Sequence, residues 1–118
     1  MKFSVSLRGN SAFRRLYAKG KSAAGGALVV YCRKNGSYNN RVGITVTTKL
    51  GKAVRRNRIR RRLRECYRLN EQKLRCGLDI ILVARGRAHD ASFNELESTF
   101  LYLCAKLDIL VREQERAI

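Results

Sequence analysis

Between Lys49 and Arg64 the chain carries nine basic side chains and no acidic one. Threaded through this run and just beyond it is an apolar series, Ile59, Leu63, Cys66 and Tyr67. Advancing about 100° per residue keeps these four within about 80° of Ile59, so the pattern predicts an amphipathic helix over Lys52 to Asn70. Its apolar stripe must rest on another layer. Asn57, Arg61, Arg64 and Arg68 gather on the opposite side, while Arg55, Arg56, Arg60 and Arg62 flank the stripe and can extend past it. An exposed helix normally alternates charge and gains i,i+4 pairs. Here like charges recur at i,i+3 and i,i+4, as in Arg58, Arg61 and Arg62, at a cost of roughly a few tenths of a kcal/mol per pair. Such a face suits a polyanion, and arginine suits planar, bidentate contact with phosphate. Asn57 is the uncharged member; hydrogen bonding to RNA and plain solvation both fit it.

The remaining elements follow from periodicity and punctuation. Residues 11–19 predict a short helix that Asn10 or Ser11 can cap and Gly20 can end, with Phe13, Leu16 and Tyr17 on one face. Ala27 to Cys32 and Val42 to Thr47 read as strands separated by the turn cluster Asn35–Asn40, and together predict an antiparallel hairpin. A further short strand is possible near residues 21–24. Asp79 to Ala84 is a continuous apolar run, as for a strand covered on both faces. Ser92 and Glu95 form a capping box before a last helix marked by Leu96, Phe100, Leu103 and Leu107. The predicted order is αββαβα, an α+β sandwich of helices packed on a small sheet.

With 118 residues the chain has the size of one domain, residues 1–118, expected to bind a polyanion. Its 26 lysines and arginines against 9 carboxylates give +17. Residues 90–118 are net acidic, so the cationic surface belongs to the first 89 residues. Self-repulsion at this charge opposes compaction, and a polyanionic partner relieves it. No apolar stretch is long enough for a transmembrane helix, and Met1 to Asn10 contains no secretory h-region, so neither a membrane nor an exported protein is expected. Cys32, Cys66, Cys76 and Cys104 contain no C-x-x-C spacing and share the chain with a single histidine, His89. Small buried thiols of a reducing cytosol fit better than a zinc site. One histidine without spacing signatures offers no catalytic set and no metal site, so any chemistry is expected to lie outside these side chains.

In order along the chain, Arg41-Val42-Gly43-Ile44-Thr45-Val46 and then Lys49-Leu50-Gly51-Lys52-Ala53-Val54-Arg55-Arg56-Asn57-Arg58-Ile59-Arg60-Arg61-Arg62-Leu63-Arg64-Glu65 resemble the signature of the bacterial ribonuclease P protein subunit, with Arg56-Asn57-Arg58 as its R-N-R core. The resemblance extends to Phe13–Gly20 and Asp79–Arg85. It implies an αβββαβα two-layer sandwich, ribosomal-protein-like, with a left-handed βαβ crossover around the R-N-R helix, where general topology rules give a right-handed one. It also implies a function. The small protein binds a large catalytic RNA, one protein per RNA in the cytoplasm, and promotes endonucleolytic removal of the 5′ leader from precursor tRNA. The hydrolysis is then carried out by Mg²⁺ held mainly by the RNA. Carried over by position, Lys49, Lys52, Arg56, Asn57, Arg58, Arg60, Arg61 and Arg64 form the face toward the catalytic RNA. Phe13, Tyr17 and Tyr31 match the aromatic positions of a cleft for the leader, where stacking tolerates any sequence. Core packing is the alternative for Phe13 and Tyr17.

Thr47-Thr48-Lys49 departs from the family pattern, which often reads Ser-Lys-Lys, and removes a cation at the corner before the helix. A structural RNA binder of the ribosome fits the same composition and fold class, but lacks the ordered R-N-R signature. A stand-alone nuclease would require activity of the protein without RNA.

Overall fold

A computed structural model of the chain describes residues 4–7 and 9–111. Five strands form one sheet in the order β1-β4-β5-β3-β2: β1 (Ser4–Ser6), β2 (Lys21–Ala24), β3 (Leu28–Lys34), β4 (Asn40–Thr45) and β5 (Leu78–Ala84). Three α-helices accompany it: α1 (Asn10–Lys19), α2 (Ala53–Asn70) and α3 (Phe93–Lys106). The α+β architecture is the expected one, with the short strand at 21–24 present and an edge strand, β1, added at the start.

The expected hairpin does not form. β5 lies between its two arms, antiparallel to β3 through pairs such as Tyr31–Ile81 and parallel to β4 through pairs such as Gly43–Ile81. The reason is burial. β5 is apolar on both faces, and only the centre of the sheet covers both. Side chains fix the arrangement: Asn40 accepts from Leu78 N at 2.9 Å and donates to Arg75 O at 3.0 Å, while Asn35 donates to Asp79 at 3.1 Å. β4 ends at Thr45, opposite Val83, so Val46 leaves the ladder but stays buried.

α2 connects the parallel neighbours β4 and β5. Its stripe of Ile59, Leu63, Cys66 and Tyr67 is buried with Leu28, Val30, Ile80 and Leu82 of the sheet and with Leu96, Phe100, Leu103 and Cys104 of α3. The Tyr67 and Phe100 rings meet edge to face at 6.3 Å. Ser92 Oγ accepts from Glu95 N at 3.1 Å, as the capping box requires, whereas α1 starts after Gly9 with no side-chain cap. Among the described residues, α1 is the one helix on the other face, forming a smaller cluster of Leu7, Leu16 and Ile81 with Phe13, Tyr31 and Val83 against it. Among the described residues, that partial cover leaves the rest of this face open.

Candidate nucleic-acid interface

The arginine surface is built by the turn before α2 and by its first three turns. Gly51 has φ +122°, in the region glycine favours, and turns the chain from the Thr48–Leu50 3₁₀ turn into the helix. Lys52 caps α2 without a side-chain hydrogen bond, and the first turn holds no acid. The positive end of the helix dipole is therefore surrounded by more positive charge, which favours an anion there.

All eight residues predicted to face the catalytic RNA come together at this end of the helix, at two hollows and on the turn beside them. Asn57, Arg60, Arg61 and Arg64 line one hollow of about 410 Å³. Lys52 and Arg58 line another of about 490 Å³ with Arg55 and His89. Lys49 is exposed on the 3₁₀ turn, and half-buried Arg56 donates through Nε to Gly51 O at 3.2 Å. Asn57 accepts from Arg60 Nη1 at 2.9 Å, so the one uncharged side chain of the face orients its neighbour. Arg62 is different: its Nη2 donates to Ala91 O at 2.8 Å and ties α2 to the loop before α3. Arg68 forms an ion pair with Glu65. Arg55 was not predicted as a contact, although it is exposed and lines the second hollow. Its flanking position on the helical projection is the signal that could have found it.

Phe13, Tyr17 and Tyr31 meet on the opposite face of the sheet. The Phe13 and Tyr17 rings are 6.4 Å apart, and Tyr17 stands edge-on to Tyr31 at 4.9 Å. Tyr17 is 41% exposed and its hydroxyl is 3.2 Å from Thr45 Oγ1. Phe13 is half-buried above Gly43, where an added Cβ would lie 2.6 Å from its ring. It serves as packing and wall at once. Beside this wall, Val29, Val83 and Thr45 form a half-exposed row across three strands. Sequence reasoning missed this floor: strand alternation places Val29 with Tyr31, but does not reveal that Val83 and Thr45 lie beside them. A small cavity of about 180 Å³ links the two surfaces across the edge of β4, with Phe13 on one side and Arg60 and Arg64 on the other.

No group of three or more His, Cys, Asp or Glu among the described residues is placed to hold a metal ion, and no helix among them is long and apolar enough to cross a membrane.

A mixed sheet with an arginine-rich helix face on one side and an aromatic cleft on the other defines a small, basic α+β RNA-binding protein. The family model described as Ribonuclease P matches residues 1–108. The chain is 47% identical over 110 residues to the ribonuclease P protein component of Alkaliphilus oremlandii, covering 93% of this chain and 96% of that protein. It is 43% identical over 106 residues to that of Clostridioides difficile, covering 89% and 93%. The structure is similar to that of the Staphylococcus aureus RNase P protein, with TM-score 0.82, 31% identity and coverage of 92% and 99%. The Thermotoga maritima RNase P protein gives TM-score 0.76, 34% identity and coverage of 82% and 92%. The chain belongs to the family of bacterial ribonuclease P protein subunits.

Proposed function

We propose that this chain, acting as one domain, seats the catalytic RNA of ribonuclease P on the arginine face of α2 and the 5′ leader of precursor tRNA in the aromatic cleft. Holding both promotes the endonucleolytic cut that leaves the mature tRNA 5′ end. The observation that carries this reading is the separation of two chemically different surfaces by one sheet. A dense arginine face grips a structured phosphate backbone. Half-exposed rings above an apolar floor accept unstacked bases of any sequence. Lys49, Lys52, Arg56, Asn57, Arg58, Arg60, Arg61 and Arg64 contact the catalytic RNA; Phe13, Tyr17 and Tyr31 contact the leader. The reaction is hydrolysis, with Mg²⁺ held mainly by the RNA. One protein serves each RNA, in the cytoplasm.

The test is cleavage of precursor tRNA by a bacterial ribonuclease P RNA at low Mg²⁺, with and without this protein. Addition is expected to restore cleavage, while the protein alone cuts nothing. Phe13→Ala and Tyr31→Ala should weaken binding of precursor tRNA by roughly 5- to 150-fold, the worth of one stacked base, and leave mature tRNA unaffected. Arg58→Ala should impair assembly for both tRNA forms alike. Folded Phe13→Ala and Tyr31→Ala proteins that still discriminate precursor from mature tRNA as the parent does would reduce the cleft to packing.

A further inference from the structure

A second cationic surface lies at the other end of the sheet. α2 starts beyond the C-terminal end of β4, near Thr45, so its arginine face belongs to that end. At the opposite end, β2 begins with Lys21 opposite Cys32, and the last two residues of β3, Arg33 and Lys34, extend past it with no strand on that edge among the described residues. Successive strand residues point to opposite faces, so these two cations wrap around the corner. Arg33 faces α1, where Arg15 lies one turn before Lys19. Lys34 is on the same face as Lys21. Two adjoining hollows, of about 490 and 410 Å³, share Arg33 and Lys34 as lining.

Among the described residues, no ion pair neutralises Arg15, Lys19, Lys21, Arg33 or Lys34. Of the two acids lining these hollows, Asp79 is already engaged and Asp108 is exposed beside Arg75. Asp79 receives Arg41 through two contacts of 2.6 Å and Asn35 through a third, and Asp108 lies 3.9 Å from Arg75. Lys19 also complements the C-terminal end of the α1 dipole, but the other four have no such local role.

We propose that this corner is a second binding surface for the phosphate backbone of the catalytic RNA. The inference rests on the function proposed above. Five unneutralised cations converging from α1, β2 and β3 complement a polyanion, and the concave, two-sided corner suits a backbone passing around it. Two of the five cations lie away from the leader cleft. Arg15 is two residues from both Phe13 and Tyr17, and Lys19 two from Tyr17, each about 200° around α1, so a strand stacked in the cleft reaches them only by crossing the helix. The protein thus touches two separate segments of one RNA and acts as a brace between them.

The test is the salt dependence of binding between the full chain and a bacterial ribonuclease P RNA, for the parent and for K21Q/R33Q/K34Q. Each phosphate contact contributes about 0.7–0.9 to the log–log slope, so the triple variant should flatten it by about two. The charge-preserving K21R/R33K/K34R should restore the parental slope, which a loss of folding could not mimic. An unchanged slope in the folded triple variant overturns the proposal and leaves the corner to an acidic protein partner. A loss confined to leader-bearing precursor tRNA in the assembled complex also overturns it, assigning the corner to the leader. Failure of the parent to bind the RNA at all would remove the functional reading itself, a result distinguishable from the others.

Discussion

Cys76 is exposed, whereas Cys32, Cys66 and Cys104 are buried, as expected for small apolar residues on core stripes. Burial pushes the Cys66 thiol up to about 11 and the Cys104 thiol up to about 12, with smaller contributions from Glu97 and Cys32 respectively. Folding therefore favours the neutral thiols. Their contribution is intact below the unfolded thiol's value of 9.0 and declines as pH rises toward 11 and 12. At pH 8 an alkylating reagent should rapidly modify one thiol per native molecule, and all four once the chain is unfolded; mass spectrometry counts the adducts. Fast labelling of Cys66 in the native protein would show that the α2–α3 core is not closed. Gly43 is a second residue with a sharp role, because the Phe13 ring occupies the space of its missing side chain. Gly43→Ala should cost about 1–3 kcal/mol by overpacking, measured by denaturant titration, and should weaken precursor binding by displacing Phe13.

Within α2 the two sides have separable consequences. Arg61 and Arg64 are exposed and line the first hollow, while Leu63, between them in sequence, is fully buried. Arg61→Ala and Arg64→Ala should weaken assembly with the catalytic RNA and leave thermal stability nearly unchanged. Leu63→Ala should do the reverse in origin, lowering stability by roughly 2–5 kcal/mol through the cavity it creates. Calorimetry beside RNA titration separates them; a large fall in melting temperature for either arginine variant would mean the helix face is misassigned. The helix was legible because its stripe repeats every three or four residues. Its start shifted by one residue because Lys52 serves as the cap. α1 was legible in extent, but not in what it covers.

At the scale of the whole molecule, +17 on a body of 44 × 32 × 24 Å makes association strongly electrostatic. If about 6–10 phosphates are neutralised, affinity for the catalytic RNA should fall by roughly 10³- to 10⁵-fold between about 50 and 200 mM salt. A nearly flat log–log plot would refute the polyanion argument. The order of the strands was not legible. A period of two tells which side chains share a face, but not which strand lies beside which; β3 and β5 pair across some fifty residues, and no local pattern encodes that. The cluster at Asn35–Asn40 does turn, with Asn35 bonded to Ser37 N and Asn39 O, yet Asn35 and Asn40 also bond to the start of β5, which lies between the two arms. The sequence by itself determined the arginine face, the buried thiols and the capped last helix, because each depends on neighbours within a turn or two of the chain. Only the tertiary structure decided that β5 takes the centre, that α1 covers part of the second face and leaves a cleft floor of Val29, Val83 and Thr45, and that five distant cations meet at one corner. Those outcomes follow from covering the most apolar strand on both faces, a requirement that the whole chain meets and no single segment records.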